Sequence, residues 1–184
     1  KWLYYIKSEA QRMTNLTNDL LYLARLTHDD NELFSRVSFS DNLESVILSM
    51  EAVAFEKEIY IEENIEENVF TNASDALIKQ LVMILLDNAI KYTPKNGKIN
   101  ILLDKDAVLK IKNTGNGITA RDQKHIFERF FRSDESRSRE SGGYGLGLSI
   151  AKAICDKLNG TISVFSKENE YTEFTVKLPL NDDN

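Results

Sequence analysis

The sequence predicts an α/β (α+β) chain in which a mixed sheet is layered with helices and preceded by one long N-terminal helix. Three observations predict it. Residues 2–27 carry apolar side chains at heptad spacing, helical and strand periods alternate after them, and six of the eight glycines cluster in two loops instead of scattering. With 184 residues, about two-fifths of them apolar, the chain suffices for one well-packed domain plus an appendage but not for two full domains.

In the first helix Ile6, Met13 and Leu20 recur every seven residues, and Leu16 and Leu23 repeat the step three places later. Such a seam calls for a partner helix, although an ordinary amphipathic helix packed on its own domain gives the same letters. The polar stretch 28–38, holding Asp29, Asp30, Asn31 and Glu32, reads as a linker. Ser40 is placed to cap a helix over 41–56. Ile59-Tyr60-Ile61 and Val69-Phe70 are strand-like, with an acidic turn region between them. A second helix covers 74–92, its apolar stripe running through Leu77, Leu81, Ile84 and Leu85, and Pro94 with Gly97 marks its exit. Strands over 98–103 and 108–112 flank the turn Asp104-Lys105-Asp106 as a hairpin. A helix over 148–158, stopped by Asn159-Gly160, and strands over 161–166 and 172–178 complete the order.

The net charge of -6, with acids spread along the whole chain, argues against a nucleic-acid partner. A single cysteine, Cys155, permits no internal disulfide and no thiolate metal cage, and fits a reducing, cytoplasmic compartment. No run of ~18 apolar residues is present to span a membrane. The start in mid-pattern without a methionine reads as a boundary inside a longer protein, which leaves room for an upstream anchor in the cell membrane.

Clustered glycines suggest close approach of backbone to a ligand. Gly115 and Gly117 form the first cluster, and Gly142, Gly143, Gly145 and Gly147 the second. The run Gly143-Tyr144-Gly145-Leu146-Gly147 leads into a helix, whose first N–H groups and positive dipole end suit phosphate; a flexible hinge would give the same letters. A Rossmann reading fails because residues 132–141 are serines and charges, not a strand. A P-loop reading fails because Gly97-Lys98 is followed by Ile99, with no hydroxyl for magnesium. Protein-kinase signatures are also missing. Asn88 falls on the inward stripe of its helix, with Lys91 and Tyr92 three and four residues on, so one turn presents an amide, an ammonium and a phenol. That trio suits Mg²⁺ and phosphate, whereas each residue singly fits an ordinary place at a core or helix end. Phe127-Glu128-Arg129-Phe130-Phe131-Arg132, followed by Arg137 and Arg139, combines aromatic anchors with four arginines able to face polyphosphate. The bland alternative is a surface loop with its aromatics tucked into the core.

In order, residues 85–93 (LLDNAIKYT), 113–118 (NTGNGI), 127–132 (FERFFR) and 143–150 (GYGLGLSI) resemble the N, G1, F and G2 boxes of sensor histidine kinases. Residues 20–26 (LLYLARL) are similar to the second helix of that family's dimerisation hairpin, and Thr172-Glu173-Phe174 with Leu178-Pro179 to its final strand, so the resemblance covers nearly the whole chain. It implies the Bergerat ATP-binding fold, a two-layer sandwich with helices on one face of the sheet. It implies a division into part of the hairpin (1–30), a linker (31–40) and a catalytic ATP-binding domain (41–181). ATP would lie between the Asn88 helix and a lid over 128–145. Asn88 would coordinate Mg²⁺, Lys91 would contact phosphates, and Tyr92 would line the site. Gly115, Gly117 and Ile118 would border the adenine, which Thr172 would help bind through water. Gly143, Tyr144, Gly145, Leu146, Gly147 and Leu148 would wrap the phosphates, and Arg132, with Arg137 second, would approach the terminal one.

The activity implied is transfer of the ATP γ-phosphoryl group to a histidine, for relay to an aspartate of a response-regulator receiver domain, in a homodimeric parent. Neither His28 nor His125 fits the family's acceptor pattern, so no catalytic residue is expected here and the acceptor belongs outside the chain. Two positions depart from the family. Asn113 stands where an aspartate usually reads the adenine amine, which implies weaker but not absent ATP binding. Ile84 stands where relatives carry Asn, or in ATP-hydrolysing cousins a water-activating Glu, which argues against efficient hydrolysis. These departures support the alternative of a non-catalytic nucleotide-binding regulatory or dimerisation module of the same fold.

Overall fold

A computed structural model describes residues 2–28, 34–132 and 144–181. Its elements run α1 (Trp2–His28), β1 (Ser35–Ser38), α2 (Phe39–Glu56), β2 (Tyr60–Ile65), β3 (Phe70–Ala73), α3 (Asp75–Tyr92), β4 (Lys98–Leu103) and β5 (Val108–Thr114). A short 3₁₀ turn (Asp122–Lys124), α4 (Gly147–Lys157), β6 (Thr161–Lys167) and β7 (Tyr171–Lys177) follow.

The main sheet has the order β2-β4-β5-β7-β6; β2 and β4 run parallel and every other neighbour pair is antiparallel, so the sheet is mixed as expected. Period-two alternation fixes which face it buries. Ile99, Ile101 and Leu103 of β4, Leu109 and Ile111 of β5, and Phe174 and Val176 of β7 are all 0–2% exposed. Lys98, Asn100 and Lys110 between them face water. The helices pack on the buried rows, α3 meeting β5, α4 meeting β6 and α2 meeting β2. At the β4–β5 turn the Asp104 carboxylate accepts from the N–H groups of Asp106 (2.9 Å) and Val108 (3.0 Å), an Asx-type closure that sets the hairpin register.

Three of the boundaries that differ from the sequence reading do so for a visible reason. The stretch read as linker contains β1, which pairs with β3 from Ser35↔Ala73 to Ser38↔Phe70 and buries Val37. The cap of α2 is Ser38, whose Oγ accepts from Asp41 N at 3.1 Å, so the helix starts two residues early. Ser40 instead donates to the Glu66 carbonyl (2.7 Å) and accepts from Val69 N (3.1 Å), stapling α2 to the β2–β3 connection. The second strand of the hairpin continues to Thr114 because Asn113 and Thr114 find partners on β7, Thr172 and Tyr171. Residues 29–33 of the expected linker lie outside the described part.

The seam of α1 divides. Leu23 and Leu26 are buried and Leu16 is half-buried, on a helix that packs against α4. Ile6 and Met13 stay 64% and 63% exposed, and Leu20 is 39% exposed. One heptad row is therefore used by the chain itself and the other stays open.

Candidate functional site

A cleft of about 640 Å³ opens between α3, the loop after β5, the start of α4, β7 and α1. On α3, Leu81, Leu85 and Ala89 are wholly buried in the core, and the neighbouring stripe of Ile84, Asn88 and Lys91 lines the cleft. The helix is capped at its start by Ser74, whose Oγ accepts from Leu77 N, and closed at its end by Thr93, whose Oγ1 donates to the Ala89 carbonyl at 2.6 Å. Ending there puts Lys91 in the last turn, where its charge opposes the negative end of the helix dipole. Its ammonium lies 5.2 Å from the centre of the Tyr92 ring, so ammonium and phenol do sit together, with the Asn88 amide one turn back.

At the far end of the sheet's buried face, two apolar rows turn polar. Asn113 continues the row Leu109, Ile111, and its cross-strand neighbour Thr172 begins the row Phe174, Val176. Both are nearly buried (2% and 6% exposed) and both line the cleft. Buried polar groups in such a place need partners. The Asn113 Nδ2 donates to the Thr114 carbonyl at 3.1 Å, and the Thr172 hydroxyl lies 3.0 Å from Ser166 Oγ.

The opposite end is made of backbone and charge. Gly147 and Leu148 open α4, an 11-residue helix with no side-chain cap on its first turn. Ser149 turns its hydroxyl back to Leu146 O (2.8 Å), and Leu146 itself is buried against the cleft. Uncapped N–H groups at the positive end of a helix favour an anion. Arg132 borders the same space. The two stems of the 133–143 segment are clamped together by the bond from Phe130 N to Gly145 O (3.0 Å). Gly145 has φ +75°, and a Cβ there would lie 2.5 Å from Phe131 O, so no other residue fits the clamp without strain. Phe127 packs edge-on against Phe174 (centroids 6.4 Å apart), Phe131 tilts against His125 (5.9 Å), and Ile126 is buried; Phe130 stays exposed.

Thirteen of the residues singled out from the sequence thus share one cleft: Asn88, Lys91, Tyr92, Asn113, Gly117, Ile118, Arg132, Tyr144, Gly145, Leu146, Gly147, Leu148 and Thr172. Gly115 does not line it. A Cβ on Gly115 would meet Tyr92 O at 2.5 Å, so its bareness serves the approach of the loop to the end of α3 and not of a ligand. Gly143, Arg137 and Arg139 lie outside the described residues. His125 is a surface residue, its Nδ1 2.7 Å from Glu128 Oε1. Ile84 presents an apolar wall to the cleft.

Sequence reasoning missed the contribution of α1. Arg12, Asn15 and Asp19 line the cleft, and the Arg12 guanidinium lies 5.1 Å from the centre of the Tyr144 ring. Burial pushes the Asp19 carboxyl above its ordinary range. The signal was available: residues 12, 15 and 19 stand at helical spacing on the face that Leu23 and Leu26 continue into the core. Tyr144 Oη is the one side-chain polar atom that is buried without a partner among the described residues. No group of three or more His, Cys, Asp or Glu is placed to hold a metal among the described residues. On α3 the cleft offers instead the Asn88 amide and the Asp87 carboxylate, a sparse oxygen set that fits Mg²⁺ arriving on a polyphosphate and keeping most of its waters.

Residues 73–182 match the family model described as histidine kinase-, DNA gyrase B- and HSP90-like ATPase. The chain is 37% identical over 177 residues to the sensor protein CiaH of Streptococcus pneumoniae, covering 94% of this chain and 39% of that protein. It is 38% identical over 174 residues to the sensor histidine kinase YkoH of Bacillus subtilis, covering 94% and 38%. The chain therefore spans about two-fifths of the length of these relatives. Among solved structures, the catalytic domain of the histidine kinase ThkA superposes with a TM-score of 0.71 at 27% identity, over 80% of this chain and 98% of that one. The chain belongs to the family of histidine kinase-, DNA gyrase B- and HSP90-like ATPases, as a homologue of the ATP-binding catalytic domain of sensor histidine kinases.

Proposed function

We propose that the cleft binds Mg²⁺-ATP with its base against Asn113 and Thr172 and its phosphates at the start of α4, and presents the γ-phosphoryl group to a histidine outside this chain. The observation that carries this reading is the polarity of a single cleft: buried polar groups at the sheet end, uncapped N–H groups at the start of α4, and the cations Lys91 and Arg132 along the same wall. Lys91 and the α4 N–H groups would hold the phosphates, with Gly145 and, beyond the described part, Gly143 completing the wrap. Tyr92, Gly117 and Ile118 would border the base and sugar. Asn88 would be the protein's ligand to Mg²⁺, which when bound supplies charge neutralisation between the phosphates. Ile84 leaves no general base at its place, which favours transfer to an imidazole over transfer to water.

The open row of α1, with Ile6 and Met13 exposed, suits the missing hairpin helix and a second copy of the protein in a four-helix dimer. Residues 1–30 would then be part of the hairpin, 31–40 its connection and 41–181 the catalytic domain. The onward partner would be a response-regulator receiver domain; ThkA, which shares this fold, has been solved in complex with the response regulator TrrA. No helix among the described residues is long and apolar enough to cross a membrane, so an anchor in the cell membrane would lie elsewhere in the parent.

The test is transfer in trans. The chain is mixed with a separately prepared hairpin bearing the acceptor histidine and with γ-labelled ATP. Acid-labile, base-stable label on the hairpin supports the kinase reading; bound ATP with no label on it assigns the chain to the regulatory alternative.

A further inference from the structure

The Ser166 side chain holds three hydrogen bonds beside the cleft, and their directions are forced. Its Oγ is 2.6 Å from the Tyr171 carbonyl, which can only accept, so the single hydroxyl proton of Ser166 goes there. One of its two lone pairs takes the Ile118 N–H at 2.8 Å. The remaining contact, 3.0 Å to Thr172 Oγ1, therefore has Thr172 as donor. Gln123 locks the arrangement from behind: its amide donates to the carbonyls of Ile118 (2.8 Å) and Ser166 (3.0 Å) and accepts from Ser166 N (3.2 Å).

With its proton committed to Ser166, Thr172 turns only lone pairs toward the cleft. Its cross-strand neighbour Asn113 has the same sense: Nδ2 is held by one of its protons on the Thr114 carbonyl, which leaves Oδ1 as the amide's accepting end. Two adjacent buried acceptors match an exocyclic amine, directly or through a water that donates to Thr172. A ring carbonyl in the same place would set lone pair against lone pair, the costly case of an unpaired buried polar group.

We infer that Ser166 is a positioning residue for base selection: by accepting the Thr172 proton it fixes the Asn113–Thr172 pair as acceptors and so selects adenine over 6-oxopurines. The inference rests on the nucleotide reading of the cleft. It also explains how a chain with a neutral Asn113 in place of a carboxylate keeps a directional preference, since the direction comes from the network and not from charge.

The experiment compares ATP with inosine triphosphate, which carries a carbonyl where adenine has its amine and an N1–H where adenine has a bare ring nitrogen. Affinities are measured by calorimetry for the parent chain, Ser166→Ala and Thr172→Val. The parent is expected to prefer ATP by roughly ten- to a hundredfold. In Ser166→Ala the Thr172 proton is released to turn into the cleft, and the ATP-to-ITP ratio falls at least severalfold, chiefly because ITP binds better. In Thr172→Val, which keeps the strand's shape, the ratio falls because ATP binds worse. The ratio cancels any general loss of stability, and Thr172→Val decides the matter should Ser166→Ala fold poorly. A ratio unchanged in either variant overturns the role of Ser166; a parent chain that binds neither nucleotide overturns the nucleotide reading instead.

Discussion

The two ends of the cleft are built on opposite plans. At the sheet end the polar side chains are held by strand register: Asn113 and Thr172 are a cross-strand pair at the end of apolar rows, with Ser166 Oγ taking the Thr172 proton and Gln123 holding the Ser166 backbone. At the phosphate end the donors are backbone N–H groups of the first turn of α4, supported by charged side chains and by the clamp between Phe130 and Gly145. The difference teaches that, on the proposed reading, recognition of the base would depend on sheet register and hydrogen-bond direction, and recognition of phosphate on loop closure. Substitutions should therefore separate the two.

The largest effect is expected where the base end meets the core. Phe174 is 1% exposed, two residues from Thr172 on the same face of β7, and supports Phe127. Phe174→Ala should cost about 3–5 kcal/mol of stability by urea denaturation and weaken ATP binding with it; a loss well under 1 kcal/mol would show that the sheet does not rest on this ring. Next is the clamp. Gly145→Ala forces a Cβ into Phe131 O at positive φ, a strain of about 1–3 kcal/mol that should appear as roughly 5- to 150-fold weaker ATP binding, with the ATP-to-ITP ratio unchanged. A changed ratio would mean that the two ends are not separable.

Asn113→Asp sharpens the base end. A carboxylate accepting from the adenine amine makes a charge-assisted bond in place of a neutral one, so ATP affinity should rise by up to about tenfold. The variant gives up the Nδ2 bond to the Thr114 carbonyl, and if affinity is unchanged or falls, that contact matters more than the charge. The smallest effect belongs to α1. Because burial raises the Asp19 carboxyl, the folded state holds this proton more tightly than the unfolded state does. The resulting stability is complete below the ordinary carboxylate range and is lost as pH rises through the raised value. Asp19→Asn should therefore raise the thermal midpoint slightly at pH 7 and leave it unchanged near pH 4, which a pair of melting curves checks.

Much of the fold was legible because hydrophobic period carried it. The stripe through Leu77, Leu81 and Leu85, the β4–β5 hairpin and the glycine stop after α4 lie where the letters put them. What the letters hid was long-range pairing. Strand β1 reads as linker because its reason to be extended is β3, thirty-odd residues away, and Ser40 reads as a cap because its carbonyl and N–H partners come from the far side of α2. The site followed the same rule. Residues announced by local motifs, Asn88 and the Gly145–Gly147 run, could be named from the sequence. Ser166 and Gln123 could not, since a serine in a strand and a glutamine in a turn gain meaning only when folding brings them to Thr172 and Ile118. Arg12 and Asp19 were overlooked because the heptad reading attended to the apolar rows of α1 and not to the polar residues continuing one of them.

The most direct test is a calorimetric titration of the chain with ATP and with GTP, each with and without Mg²⁺. ATP binding that strengthens with Mg²⁺, together with weak or undetectable GTP binding, is the predicted result, since it requires the acceptor pair at one end and the metal-bearing phosphates at the other. Equal affinity for the two nucleotides, or no binding up to millimolar ATP, would contradict the account.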